Sequence, residues 1–399
     1  MKTVYIIDSI RTPIGRYGGK LSTIRPDDLL AHVIKALVQR NKTIDVNAIE
    51  DVIAGAANQA GEDNRNIARM AALLAGLPVT VAGTTVNRLC ASGLQAIMDA
   101  ARAIMCNEGE LYIAGGVESM TRAPFVIPKS DNAWNRKAEM FDTTMGWRFI
   151  NKQLAEMYHP YTMGETAENV AKQWKINRSE QDAFALSSQQ KYFEALKNNK
   201  WKDEIIPVEI MEGKTSIQFD TDEHPRQTSL EKLAALQPAF IKDGTVTAGN
   251  ASGINDGAAA MLLASEEAVK KYYLKPMARI ISMAVAGVNP SIMGIGPVPA
   301  TQKALQRAGL KIEDVDLIEL NEAFASQSLV CIQELQLDSN KVNVNGGAIA
   351  IGHPLGCSGV RISTTLLHEM NRRKSKYGLA TMCVGVGQGA TVIYENMIK

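Results

Sequence analysis

The chain of 399 residues is 46% hydrophobic and 21% charged, an ordinary globular balance that excludes collagen-like, coiled-coil and wholly disordered sequences. Forty-three basic residues against 42 acidic ones leave a formal charge of +1, so no global field would gather nucleic acid or an anionic membrane. The length calls for more than one structural unit, or for one unit duplicated.

At the amino terminus, Met1 to Asp8 reaches a charged residue before an apolar signal core can form, and no secretory leader is expected. Apolar stretches such as 71–81 and 258–264 fall short of the ~20 residues of a membrane helix, so no membrane span is expected either. Five widely spaced cysteines with no Cys-x-x-Cys indicate neither a disulfide framework nor a structural zinc site. Together these features predict a soluble protein of the reducing cytoplasm.

Val4-Tyr5-Ile6-Ile7 reads as a strand, and Leu29 to Val38 has helical apolar spacing. The alternation continues to the strand-like Leu111-Tyr112-Ile113-Ala114, which predicts a layered α/β fold. The chain also resembles itself. Lys35-Ala36-Leu37 followed by Ile49 to Ile53 is echoed by Lys303-Ala304-Leu305 followed by Val315 to Ile318. Cys90-Ala91-Ser92-Gly93 is echoed by Cys357-Ser358-Gly359, and Ile113-Ala114-Gly115 by Met382 to Gly385, at nearly equal offsets. Collinear matches of this kind predict a duplicated half. Residues 122–253 interrupt the pattern with charge-rich helices, one opened by a Ser179-x-x-Asp182 capping signal, and predict an inserted domain. The expected division is 1–121 plus 254–275 for the first half, 122–253 for the insert and 276–399 for the second half.

Cys90 precedes Leu94, Ile97, Met98, Ala101, Ile104 and Met105, one face of a helix. It therefore lies near a helix amino terminus, where free N–H groups and the macrodipole favour a thiolate. A small buried residue at a strand-to-helix corner is the ordinary alternative. His353 stands in a stretch with five glycines, Asn345 to Gly359, and is followed by Pro354, a setting that core packing explains poorly and that suits a base or an oxyanion donor. His32, His159, His224 and His368 have surroundings that need no special role. Asn321, after the apolar Val315 to Leu320, sits at a strand end where an amide can hold a water or an oxyanion, or cap a turn.

Cys383 leads into Val384-Gly385-Val386-Gly387-Gln388-Gly389, which mimics a dinucleotide loop. Ala390 to Tyr394 is strand-like rather than helical, so that reading fails. Gly15 to Lys20 hints at a phosphate loop, but Leu21 stands where Ser or Thr is required.

Read together, Asn87-Arg88-Leu89-Cys90-Ala91-Ser92-Gly93, Asn321-Glu322-Ala323-Phe324-Ala325, Gly346 to Pro354 and Cys383 to Gly389 closely resemble the thiolase family, over essentially the whole chain. The resemblance implies two βαβαβαββ halves in a five-layered αβαβα arrangement with an inserted loop domain, assembled as a homodimer or homotetramer. It implies reversible Claisen chemistry on 3-oxoacyl-CoA thioesters: Cys90 as nucleophile, His353 as its base, and Cys383 as the acid/base at the acetyl-CoA enolate. His353 and a water held by Asn321 would form one oxyanion hole, and the backbone N–H groups of Cys90 and Gly385 the other. Coenzyme A enters as a substrate, and neither a cofactor nor a metal is implied.

By the same resemblance, Met163 matches the family's loop-domain Met-Gly as a coenzyme A contact, Ala248 and Ser252 match its pantetheine-contacting segment, and Arg226 and Leu236 correspond to its adenine and phosphate contacts. Thr162 stands where many biosynthetic members carry His. The segments 57–66 and 142–149 look most like the 3-oxoadipyl-CoA thiolase branch of aromatic catabolism, whose substrate carboxylate would want an arginine such as Arg65, Arg122 or Arg148. Fatty-acid 3-ketoacyl-CoA thiolase and acetoacetyl-CoA thiolase are the alternatives. A ketoacyl synthase, which shares the architecture, needs paired histidines and has no use for Cys383. A non-catalytic acyl-CoA binding protein has no use for the four motifs together. Whether a hydratase-dehydrogenase partner binds is not encoded in any motif.

Overall fold

The computed structural model describes residues 2–398. In the first half, β-branched and small apolar runs form β1 (Val4–Arg11), β2 (Ile49–Gly55), β3 (Ala82–Val86), β4 (Leu111–Ser119) and β5 (Asn255–Ser265). The second half supplies β6 (Ala278–Gly287), β7 (Leu317–Leu320), β8 (Tyr377–Val384) and β9 (Gln388–Asn396). These strands lie in the order β7-β8-β9-β6-β1-β5-β4-β2-β3, and the two-residue strand Gly15–Arg16 joins β5 as the tenth of the sheet. Running outward from the centre, β1-β5-β4-β2 and β6-β9-β8-β7 repeat one topology: two antiparallel pairings, then a parallel one. The counterpart of β3 is reduced to a single bridge, Ile318 to Val342. Within the sheet, the halves are joined among the described residues by the register pairs Tyr5–Arg279 and Ile6–Ala278.

The main helices are α1 (Pro26–Arg40), α2 (Ser92–Met105), α3 (Met163–Trp174), α4 (Arg178–Lys197), α5 (Pro297–Ala308), α6 (Ala325–Glu334) and α7 (Leu355–Arg373). Alternation along the strands sorts them into layers. Val52, Ala54, Ile113 and Leu262 face α1 through Leu29, Leu30 and Ile34. Ile53, Tyr112, Ala114 and Met261 face the other way, onto Leu94 and Ile97 of α2 and Val360 and Leu366 of α7. That same middle cluster takes in Leu317, Ala380, Met382 and Val392 of the second half. Ile318, Leu320, Leu379 and Ile393 point outward onto Ala304 and Leu305 of α5. Helix, sheet, helix, sheet and helix follow one another, the five layers expected.

The middle layer is tight. A Cβ on Gly359 of α7 would stand 2.0 Å from the backbone nitrogen of Leu94, and one on Gly93 would stand 2.7 Å from the Gly356 carbonyl. Only glycine lets these two helices cross so closely.

Residues 122–253 carry α3 and α4, each opened by a capping box. The box on α4 is formed by Asn177 and Glu180 rather than by the expected Ser179 and Asp182. Ser179 instead donates to Asn177 Oδ1 at 2.6 Å, and Asp182 accepts from Arg178 at 2.8 Å. Arg11 of β1 pins this segment from below. Fully buried, it donates to both oxygens of Asp222 at 2.6 and 3.0 Å and to Glu204 at 2.6 Å. No helix among the described residues is long and apolar enough to cross a membrane.

Candidate active site

The corner between β3 and α2 is held by two of its own side chains bonding to backbone. Asn87 accepts the Leu89 N–H at 2.8 Å and donates to the Ala57 carbonyl at 2.8 Å, while Ser92 Oγ accepts the Arg88 N–H at 2.9 Å. Leu89 is forced to a φ of 46°, a strained value for a side chain of that size. Cys90 follows, half-buried, two residues before the helix begins. Burial pushes its thiol up to about 11, against the pull of the Gly385 N–H and its own N–H, and Glu118 adds to the rise. The pull of the helix terminus toward a thiolate is outweighed here by burial, so the thiol needs a base to take its proton.

His353 is buried in the loop before α7. Its backbone N–H donates to Asn255 Oδ1 at 2.9 Å, and the preceding Gly352 has a φ of 113°. Ser358 Oγ donates to the Pro354 carbonyl at 2.8 Å and so accepts from His353 Nδ1 at 2.6 Å. This assigns the proton to Nδ1 and leaves Nε2 with its lone pair. Burial, and next the charge of Arg361, hold the imidazole down to about 3, so it is neutral at any physiological pH. The Asn321 amide, at the end of β7, stands 3.4 Å from Nε2, and its Oδ1 has no partner among the described side chains.

Cys383, one residue from the end of β8, is buried with Met163, Ala251, Ala323 and Phe324. Burial first and the neighbouring Cys90 next raise its thiol well above the ordinary value. Gly385 opens the turn into β9, where Val386 and Gly387 have φ values of 62° and 80°. Arg88 ties this turn to the nucleophile corner by donating to Gln388 Oε1 at 2.7 Å. A Cβ on Gly385 would lie 3.1 Å from Leu89 Cδ1 and 3.6 Å from Met163 Sδ. The five catalytic candidates thus lie on four loops that converge.

The coenzyme A candidates fall into two groups. Met163 borders Gly385, and the Ser252 N–H donates to the Ala323 carbonyl at 3.0 Å, beside Asn321. Ala248 is exposed, next to Gly249, against which Leu236 rests. Arg226 lies farther out with an exposed side chain.

Four residues that sequence reading passed over hold the loops together. Glu118 of β4 accepts the N–H groups of Ala57, Asn58 and Gly356 at 2.9, 3.1 and 2.8 Å, joining the first half to the start of α7. Burial pushes its carboxyl up to about 7. Glu322 accepts from Ser188, Asn343 and the Ile349 N–H and so anchors the glycine-rich loop. Asn255 and Ser358 fix His353. Nothing in the local sequence marks these roles, because every partner of Glu118 comes from a distant segment.

The chain belongs to the thiolase family: the family's "Thiolase, N-terminal domain" matches residues 4–267 and its "Thiolase, C-terminal domain" matches residues 274–396. It is an acyltransferase with thiolase activity on coenzyme A thioesters. Among its relatives is the 3-oxoadipyl-CoA/3-oxo-5,6-dehydrosuberyl-CoA thiolase of Escherichia coli K12, 55% identical over 401 residues with all of both chains covered. The beta-ketoadipyl-CoA thiolase of Pseudomonas aeruginosa is 56% identical, covering 99% of this chain and 100% of its own. Human mitochondrial 3-ketoacyl-CoA thiolase, solved in complex with CoA, superposes with a TM-score of 0.92 at 43% identity, covering 99% of this chain and 98% of the other.

Proposed function

We propose that this chain cleaves 3-oxoadipyl-CoA with coenzyme A to acetyl-CoA and succinyl-CoA, and catalyses the reverse condensation. The convergence of Cys90, His353, Asn321, Cys383 and Gly385 carries the mechanism, and the named substrates of relatives at 55–56% identity support the acyl chain. Cys90 Sγ attacks the 3-oxo carbon while His353 Nε2 takes the thiol proton. The carbon–carbon bond breaks, leaving the acyl group on Cys90 and expelling an acetyl-CoA enolate, which Cys383 protonates. The backbone N–H groups of Cys90 and Gly385 meet the oxyanion on the acylated cysteine, and His353 with an Asn321-held water meets the enolate. Coenzyme A, its thiol proton passing to the Cys383 thiolate, then attacks the acyl enzyme; the thioester bond to Cys90 breaks, succinyl-CoA leaves, and Cys90 recovers its proton from His353.

In this reading Met163, Ala248 and Ser252 hold pantetheine and Arg226 and Leu236 the nucleotide end, within an insert spanning 122–253. Every group transferred is supplied by substrate or side chain, so the cycle uses no separate cofactor. We also propose a cytoplasmic homodimer or homotetramer. β3 is a sheet edge with no outer neighbour among the described residues, close to the exposed Leu73, Leu74 and Val79, and such an edge favours pairing with a second copy.

The test is CoA-dependent cleavage of acetoacetyl-CoA, a medium-chain 3-oxoacyl-CoA and 3-oxoadipyl-CoA in one assay, with Cys90→Ser as blank. A clear preference for 3-oxoadipyl-CoA is expected. Preference for an unbranched chain would move the enzyme to fatty-acid or acetoacetyl-CoA metabolism.

A further inference from the structure

Three arginines near the site could meet a substrate carboxylate, and their surroundings separate them. Arg122 is already spent: its Nε and Nη2 donate to Glu62 at 2.5 and 2.6 Å, and its Nη1 to the Ser22 carbonyl at 3.0 Å. Arg65 is exposed, and none of its side-chain atoms bonds to a catalytic loop. Arg148 differs from both. Its Nη2 donates at 2.9 Å to the neutral Oδ1 of Asn58, and no carboxylate of the described residues lies within ion-pair distance of it. A half-buried guanidinium with one neutral partner keeps its charge and its remaining donors available.

The position of Arg148 is fixed from two sides. Asn58 is oriented by its Nδ2, which donates to Thr143 Oγ1 at 3.1 Å, and by its backbone N–H on Glu118. Its neighbour Ala57 carries the carbonyl that Asn87 uses to hold the Cys90 corner, and Glu118 also grips Gly356 beyond His353. Asn58 is thus a ledge between the cysteine loop and the histidine loop. On the other side, Trp147 Nε1 donates to the Tyr161 carbonyl at 3.0 Å, two residues before Met163, which borders Gly385.

We propose that Arg148, steadied by Asn58, reads the far carboxylate of the acyl chain, so that the site is built for 3-oxoacyl-CoA thioesters ending in a carboxylate. The inference rests on the substrate class proposed above and assigns the residue that selects it. In such a substrate the carboxylate lies only a few bonds from the carbon that Cys90 attacks, and Asn58, which holds Arg148, adjoins Ala57, whose carbonyl fixes the Cys90 corner. An arginine can meet it with two parallel N–H donors, whereas a methyl-ended chain would leave the guanidinium unpaired.

The experiment measures kcat/KM for 3-oxoadipyl-CoA and for 3-oxohexanoyl-CoA, which has the same chain length without the carboxylate, in the full-length wild type, Arg148→Met and Arg148→Lys. The wild type is expected to favour the dicarboxylate. In Arg148→Met that preference should fall about ten- to a hundredfold, the size of a lost charge-assisted hydrogen bond, mainly through KM for 3-oxoadipyl-CoA. Arg148→Lys should keep part of it. Should the methionine variant not fold, Arg148→Gln carries the same test. A wild type with strong preference and an Arg148→Met enzyme with the same preference would overturn the arginine assignment alone. A wild type that favours 3-oxohexanoyl-CoA would overturn the substrate reading, and the role of Arg148 with it.

Discussion

In the free chain the two groups expected to exchange a proton are both neutral. Burial pushes the Cys90 thiol up to about 11 and holds His353 down to about 3, so a standing thiolate–imidazolium pair is disfavoured. Deprotonation then has to accompany attack on the carbonyl, when the developing charge moves from sulfur to an oxygen that backbone donors can meet. The alkylation of Cys90 by iodoacetamide should accordingly rise about tenfold per pH unit from pH 6 to 9 without levelling off. A plateau below pH 8 would reveal a preformed ion pair. Cys383→Ala should abolish turnover yet still allow a reactive acyl-CoA to acylate Cys90, which mass spectrometry of the intact protein reads directly. Normal turnover in that variant would remove Cys383 from the mechanism. The buried histidines also make a stability statement. His353 and His224 are held down to about 3 and about 4, chiefly by burial, against an ordinary 6.5. Between pH 6.5 and 4 the unfolded chain protonates these histidines while the native chain refuses the proton, so their contribution to stability falls as pH drops through that window, by up to ~1.4 kcal/mol per unit for each histidine, whereas Glu118, with its carboxyl raised to about 7, acts in the opposite direction. Against the wild type, His224→Asn should therefore lose less melting temperature, or gain more, as pH falls from 6.5 to 4.

At the scale of elements, much of the site was legible because its chemistry is written in contiguous motifs. The Cys90 corner, the glycine-rich His353 loop and the Cys383 turn each announce a strand or helix end by apolar period and glycine. The strand-like Ala390 to Tyr394, against a dinucleotide loop, is indeed β9. What stayed hidden depends on contacts across sequence. The φ of 46° at Leu89 arises because Asn87 and Ser92 close the corner from both sides, and the capping box on α4 sits at Asn177 because an asparagine two residues upstream outcompetes Ser179. The grip of Glu118 on three N–H groups has no local signature at all. The crossing of α2 and α7 is a further element-level property, set by Gly93 and Gly359. Backbone cannot yield to a methyl group 2.0 Å from the Leu94 nitrogen, so Gly359→Ala should cost about 3 kcal/mol or more, measurable as a lower urea midpoint.

For the molecule as a whole, the duplicated topology explains how one site draws on two halves. The self-similarity of the sequence located the corresponding elements correctly: Lys35 and Lys303 lie in α1 and α5, and Ile113 and Met382 in β4 and β8. It could not show that α2 and α7 would share one layer. Nor could it show that Arg11 of β1 would bind Asp222 and Glu204, about two hundred residues along the chain. Arg11→Met should destabilise the fold by about 3–5 kcal/mol, because it leaves two buried carboxylates unpaired, whereas exposed ion pairs such as Lys270–Glu266 should matter little. The shared layer has a temporal consequence. A ribosome that has released β1 to β5 has already made Cys90, but His353, Cys383 and Gly385 are still untranslated, and α2 has no α7 to lie against. The unfinished chain therefore presents a thiol without its proton acceptor, its acid/base partner or its oxyanion donor, and the catalytic set is complete only when β8 and the Gly385 turn have followed the last helix.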